Sequence, residues 1–295
     1  MKLDQFFGFL LILLAIYLGV NATARGDAGD GLFSGDDPLL TDDPPPDIEI
    51  DDDAGKLNGD DKDDKDDRKD GDGRRERSGN EGVVTRSDFC AAVGDSSRFD
   101  DLGGKHDEAV RCMEAAGVVE GVSGDTYAPR DALTRAQAAT TIAAMIDASN
   151  RLERSGVDLR ALPDAPDTRF TDVEPGSAEA DAIAQLNEVG ILEGYVDARF
   201  EPQGRVSRAQ MASILDRTYK YMTGEAFPGG SDQFNDDGQS VHEDSINAVA
   251  TAGIMDGAGG DRFEPNHAVR RGPMATFTAR TMIRLEETGR IRPLD

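Results

Sequence analysis

Gly190-Ile191-Leu192-Glu193-Gly194, then Phe200-Glu201-Pro202, then Val206-Ser207-Arg208-Ala209-Gln210 is the stretch that sets the fold, because it recurs twice at fixed distances. Its first signal returns as Gly117-Val118-Val119-Glu120-Gly121 and as Gly253-Ile254-Met255-Asp256-Gly257. Counted from the first Gly of each, an aromatic follows at +10 (Tyr127, Phe200, Phe263), a Pro at +12 (Pro129, Pro202, Pro265) and an Arg at +18 (Arg135, Arg208, Arg271). Upstream, a Phe opens each unit with an Asp two residues later: Phe99 and Asp101, Phe170 and Asp172, Phe234 and Asp236. Self-similarity on this scale means one supersecondary unit used three times.

Outward from each Gly, apolar residues fall at −7, −4 and −1: Val110, Met113 and Ala116; Ile183, Leu186 and Val189; Ile246, Val249 and Ala252. That spacing is one face of a helix, and the Gly is its natural stop. After a Gly- and Asp-rich loop, which the aromatic-x-Pro pins to the core, Thr134-Arg135-Ala136-Gln137 and Ser207-Arg208-Ala209-Gln210 read as capping boxes. Ala138, Ile142 and Met145, and Met211, Ile214 and Leu215, continue the helical pattern. Each unit is helix, structured loop, helix, so the fold class is all-α. The third unit departs from this, with Arg270-Arg271-Gly272-Pro273 in place of a Ser or Thr cap. Pro273 is tolerated in a first turn, where its missing N–H costs little. Val84-Thr85-Arg86-Ser87-Asp88-Phe89 resembles a second-helix start with nothing before it, and reads as an added N-terminal helix covering the first unit.

The recurring Arg is placed one residue inside a helix start, where a cation opposes the helix dipole by about 0.3–1 kcal/mol. A compensating partner is required. One option is an ion pair with Asp101, Asp172 or Asp236 of the same or a neighbouring unit, since repeated residues commonly hold a repeat together. The other is an anionic ligand, drawn by open helix-start N–H groups and the planar guanidinium fork. Periodicity does not separate them.

The combination Phe-x-Asp, Gly-Ile-Leu-Glu-Gly, Phe-Glu-Pro and Val-Ser-Arg-Ala-Gln resembles the S-layer homology domain, whose signature helix start is Thr-Arg-Ala-Glu. Three such units cover roughly residues 95 to 285. The resemblance implies a pseudo-threefold, three-pronged helical module that attaches exported proteins noncovalently to the cell wall. It also implies that Arg135, Arg208 and Arg271 meet an acidic, often pyruvylated, wall polysaccharide in grooves between prongs, with Asp101, Asp172 and Asp236 lining them. Gln137 and Gln210 replace the motif Glu, and Gly272-Pro273 interrupts the third copy.

The rest of the chain fits export. Lys2 precedes an apolar run from Phe6 to Val20 and then Ala22-Thr23-Ala24, the parts of a secretory signal with cleavage before Arg25. Fifteen residues fall short of the roughly 30 Å hydrocarbon core, so membrane attachment arises only if that segment stays uncleaved. Residues 25 to 82 hold 21 acids against 9 bases, a net −12, with few large apolar side chains. They read as a disordered acidic spacer, and no part of it meets the calcium-loop pattern. The remainder, 83 to 295, holds 36 acids against 22 bases, a net −14. The expected organisation is a signal peptide (1–24), the linker (25–82), an added helix (83–94) and a first repeat (95–150). A second linker (151–165), a second repeat (166–224), a third (225–287) and a tail (288–295) complete it.

A net charge of −26 argues against a nucleic-acid binder, which needs a basic footprint. Two Cys and three His are too few for zinc-ribbon, haem or iron–sulfur chemistry, so no cofactor and no metal site are expected. In an exported chain Cys90 and Cys112 are expected to form a disulfide, worth roughly 3 kcal/mol in the chain-entropy model. His106 and His242 stand at equivalent places beside acids, where repeat two has Glu179, and read as polar helix-start residues. No nucleophile elbow, zinc signature or P-loop is present. The expected function is a non-catalytic wall-binding module of a secreted, cell-surface protein. The alternatives are an extracellular protein-interaction scaffold or S-layer structural component and, behind these, a wall glycan hydrolase.

Overall fold

The structure is a computed structural model that describes residues 88–91, 93, 97–164 and 168–294. The apolar leader (1–24) and the acidic spacer (25–82) lie outside the described residues. Among the described residues there are six α-helices: α1 (Asp107–Ala115), α2 (Arg135–Arg151), α3 (Ala178–Glu188), α4 (Arg208–Thr223), α5 (Glu243–Thr251) and α6 (Arg271–Glu287). β-Structure there is confined to isolated bridges. The all-α reading holds. Of the added helix expected over 83–94, the described residues hold a 3₁₀ turn over Asp88–Cys90, and 83–87, 92 and 94 lie outside them.

Local chemistry sets the helix ends as the sequence implies. Gly117, Gly190 and Gly253 follow α1, α3 and α5 at φ 72°, 74° and 73°, a left-handed geometry that Gly adopts without a Cβ penalty. The next amides turn back to the helix: Val118 to the Met113 carbonyl (2.8 Å), Ile191 to Leu186 (2.9 Å) and Ile254 to Val249 (2.9 Å). Both expected capping boxes are formed, at Thr134 with Gln137 and at Ser207 with Gln210. Arg270 occupies the corresponding place before α6 and makes no side-chain cap.

The two helices of one repeat do not pair with each other. Instead the second helix of each repeat packs on the first helix of the next: α2 on α3, α4 on α5, and α6 back on α1. At the hub the Leu133 amide donates to the Val269 carbonyl (2.8 Å), the Val269 amide to Val206 (2.8 Å) and the Val206 amide to Leu133 (3.3 Å). Each of these residues stands two before a repeated Arg, and all three are buried. The hydrogen bonds therefore close a ring through the three repeats, and the bridges Ala132 to Arg270, Thr134 to Arg205 and Ser207 to Ala268 flank it.

The 3₁₀ turn meets α6, with Phe89 fully buried, and Cys90 forms the expected disulfide with Cys112 on α1, Cα to Cα 5.6 Å. The chain end is also tied in. Arg154 donates its amide to Arg290, Arg292 to Leu152 and Leu294 to Phe89.

Candidate functional site

Each repeated Arg begins a helix yet is buried, with Arg135 4%, Arg208 7% and Arg271 7% exposed. Arg135 Nε donates to the Phe200 carbonyl (2.7 Å) and Nη2 to Glu193 (2.8 Å). Arg208 does the same to Phe263 (2.7 Å) and Asp256 (2.6 Å), and Arg271 to Tyr127 (2.7 Å) and Glu120 (2.6 Å). Each guanidinium also covers the ring whose carbonyl it holds, at 4.5 to 4.6 Å, a favourable cation–π distance. The Arg of repeat one thus grips the loop of repeat two, that of two grips three, and that of three grips one. Burial lowers the pKa of Arg135 and Arg271, against the raising effect of nearby Tyr, Asp and Glu side chains.

The helix-start N–H groups are engaged by the same neighbour. The Arg135 and Ala136 amides donate to Gly204 and Pro202, those of Arg208 and Ala209 to His267 and Pro265, and those of Arg271 and Gly272 to Asp131 and Pro129. These carbonyls, together with those held by the guanidinium, offset the unfavourable cation at the helix start. The donors that sequence reasoning offered to an anion are turned into the protein.

The repeated Asp residues work on the same loops from the other side. Asp101 accepts from the Tyr127 and Ala128 amides (2.8 and 2.7 Å), Asp172 from Phe200 and Glu201 (2.8 Å each), and Asp236 from Phe263 and Glu264 (2.7 and 2.9 Å). Ala128, Glu201 and Glu264 have φ of 57° to 58°, so each carboxylate secures a left-handed non-Gly residue. For Asp101, burial raises the pKa, but the two amides and Arg271 outweigh it and hold the carboxyl below its ordinary value.

The opening Phe of each unit tilts against the loop aromatic, with centroids at 5.2 Å for Phe99 and Tyr127, 5.4 Å for Phe170 and Phe200, and 5.2 Å for Phe234 and Phe263. Its edge lies over the second Gly of the five-residue signal. A Cβ at Gly121, Gly194 or Gly257 would fall 2.8, 2.1 or 2.7 Å from the Phe Cε1.

His106 and His242 do precede α1 and α5, but neither side chain caps its helix. Nδ1 of His106 instead meets Thr276 on α6 (2.8 Å), and Nδ1 of His242 meets Ser213 on α4 (2.7 Å), so each links the two helices of a pair. Burial, with Lys105 and Arg280 adding to it, lowers the His106 pKa to about 4, so the ring is neutral at physiological pH.

A cavity of about 1330 Å³ opens beside the hub, bordered by all three repeats. Its cations are Lys105, Arg130, Arg205, Arg208 and Arg270, against the acids Asp101, Asp107, Asp131 and Glu264, with His106 and His267 also on the wall. Of the six residues that the sequence singled out, Arg208 and Asp101 border this cavity; Arg135, Arg271, Asp172 and Asp236 do not. Lys105, Arg130, Arg205 and Arg270 were missed because they do not repeat. No group of three or more His, Cys, Asp or Glu able to hold a metal ion occurs among the described residues.

Residues 98–139, 169–212 and 234–275 each match the S-layer homology domain. The chain is similar to an S-layer protein of Bacillus thuringiensis subsp. finitimus, 28% identical over 194 residues that cover 65% of this chain and 22% of that protein. It is 25% identical to the surface-layer 125 kDa protein of Lysinibacillus sphaericus over 70% of this chain and 16% of that protein. Exoglucanase XynX of Acetivibrio thermocellus is 26% identical over 58% of this chain and 15% of the enzyme. The chain therefore spans about a fifth of the length of the relatives it matches.

Proposed function

Because the chain carries three tandem S-layer homology domains, we propose that residues 95 to 287 form a non-catalytic, pseudo-threefold wall-binding module that holds an exported protein on an acidic wall polysaccharide, of the kind that bears pyruvyl groups. The protein is a secreted, cell-surface protein. The observation that carries the reading is the hub cavity, where basic groups outnumber acids in a region whose net charge is −14. Screening beyond about 8 Å at physiological salt lets this local balance prevail over the acidic whole. The closed cycle of Arg, loop and hub hydrogen bonds supports the threefold arrangement, with each helix pair as one prong. Arg208 meets the glycan at the cavity wall, while Arg135 and Arg271 brace the loops that shape it.

Co-sedimentation of the full chain with protein-free wall sacculi tests this. Saturable retention on intact sacculi, and loss of it after the wall polysaccharide is stripped, is expected. Equal retention on stripped sacculi contradicts it. A docking scaffold within a surface layer is the second reading, favoured by the surface-layer relatives; it gives retention on a protein partner and none on protein-free sacculi.

A further inference from the structure

The repeats are alike in their motif residues and unlike at the cavity. Arg130 follows the loop Pro of repeat one, where the other repeats have Gln203 and Asn266. Arg205 stands three before its motif Arg, where the others have Ala132 and Ala268. Arg270 stands one before its motif Arg, in place of the capping Thr134 and Ser207, and makes no cap. One non-repeating Arg comes from each repeat, and the hub brings all three, with Lys105, to the same cavity.

For Arg130 and Arg205 such placement is not required by the fold. The Arg130 and Arg205 side chains are exposed and make no hydrogen bond or ion pair among the described residues. The acids of the wall are largely engaged: Asp101 holds two amides, Asp107 accepts from the Gly104 amide, and Glu264 pairs with Arg262 (3.4 Å) and lies 3.6 Å from His267. The Arg271 and Gly272 amides of α6 are taken by the Asp131 and Pro129 carbonyls, and Pro273 has no N–H, so the helix start offers no amide that a hydroxyl at position 270 would cap.

We propose that this cavity is a single specialised glycan site, in which Arg130, Arg205 and Arg270 rather than the repeated Arg make the discriminating contacts to a wall-glycan segment bearing more than one anionic group. The assignment rests on the wall-binding reading above. Planar guanidinium forks drawn from three separate repeats favour carboxylates spaced along a chain over one isolated charge, because each fork takes one carboxylate in a bidentate pair.

The test compares full-chain Arg130→Ala/Arg205→Ala with Arg169→Ala/Lys220→Ala, which removes two exposed charges away from the cavity. Both are titrated against intact sacculi and against sacculi stripped of wall polysaccharide. Expected is a loss of at least roughly tenfold in affinity for the cavity variant, the sum of about 1.4 kcal/mol or more from two charge-assisted contacts, and near-normal binding by the charge control. Wild-type-like binding by the cavity variant, while wild-type binding still needs the polysaccharide, overturns the site assignment alone. An equal loss in both variants also overturns it, since bulk charge would then suffice. Wild-type binding that survives stripping overturns the underlying wall-glycan reading as well.

Discussion

In each repeat one residue is held from both sides. Asp172 takes the Phe200 amide and Arg135 of the preceding repeat takes the Phe200 carbonyl; Asp236 and Arg208 treat Phe263 in the same way, and Asp101 and Arg271 treat Tyr127. The two readings that the sequence left open for the Arg, ion pair or anion site, both overlooked this third kind of partner. Backbone amides and carbonyls are present at every residue, so no pattern of side chains announces which of them a conserved spacing serves. Asp237 shows the opposite case. It stands beside Asp236 where the other repeats have Leu102 and Val173, is fully buried, and neither carboxylate oxygen has a hydrogen-bond partner. Burial raises its pKa, as do the acids Asp232, Glu243 and Asp236, against the lowering effect of its own amide. A raised carboxylate pKa means that the unfolded chain releases the proton first, so this group costs stability as pH rises above the unfolded value of about 3.9. Asp237→Val is therefore expected to stabilise the protein by about 1–3 kcal/mol at pH 7, with the gain shrinking toward pH 3.5. Denaturant titration at the two pH values measures it, and a variant that is destabilised at pH 7 refutes it.

At the scale of elements, the sequence disclosed the repeat, the helix faces, the Gly stops and both capping boxes, because all of these depend on neighbours within a few residues. It did not disclose that α2 pairs with α3 rather than α1, since helix pairing is a long-range choice made by loops and by the hub. The second Gly of each signal was visible as a repeat but not as a contact. Gly194 must be small because a Cβ there would lie 2.1 Å from Phe170 Cε1 and 2.6 Å from the Arg199 carbonyl. The carbonyl belongs to the backbone and does not swing aside. Gly194→Ala should cost about 2 kcal/mol, within the range for overpacking a filled site, whereas Gly229→Ala, whose Cβ meets nothing within 4 Å, should stay within about 0.5 kcal/mol of wild type. Chemical denaturation of the two variants checks the contrast, and equal stabilities would remove the packing explanation for the repeated Gly.

Across the whole molecule, the net charge of −26 has separate components. Twelve of the surplus negative charges belong to residues 25–82, outside the described region, and fourteen to the repeat region. Within that acidic region four cations that do not repeat, Lys105, Arg130, Arg205 and Arg270, line one cavity, while the repeated Arg135 and Arg271 are spent on closing the ring and Arg208 both closes it and borders the cavity. Sequence comparison between repeats drew attention to what they share, and what they share is architecture. The binding surface is formed by their differences, which no self-alignment ranks and only the hub brings together. On the site proposed above, an acidic glycan binds there through its negative charges. Calorimetric titration of the full chain with soluble polysaccharide released from the sacculi, before and after chemical reduction of its carboxylates to alcohols, measures this most directly. Saturable binding to the native polysaccharide that weakens with salt, and at least roughly tenfold weaker binding to the reduced form, is the expected result. Equal affinity for both forms would contradict it.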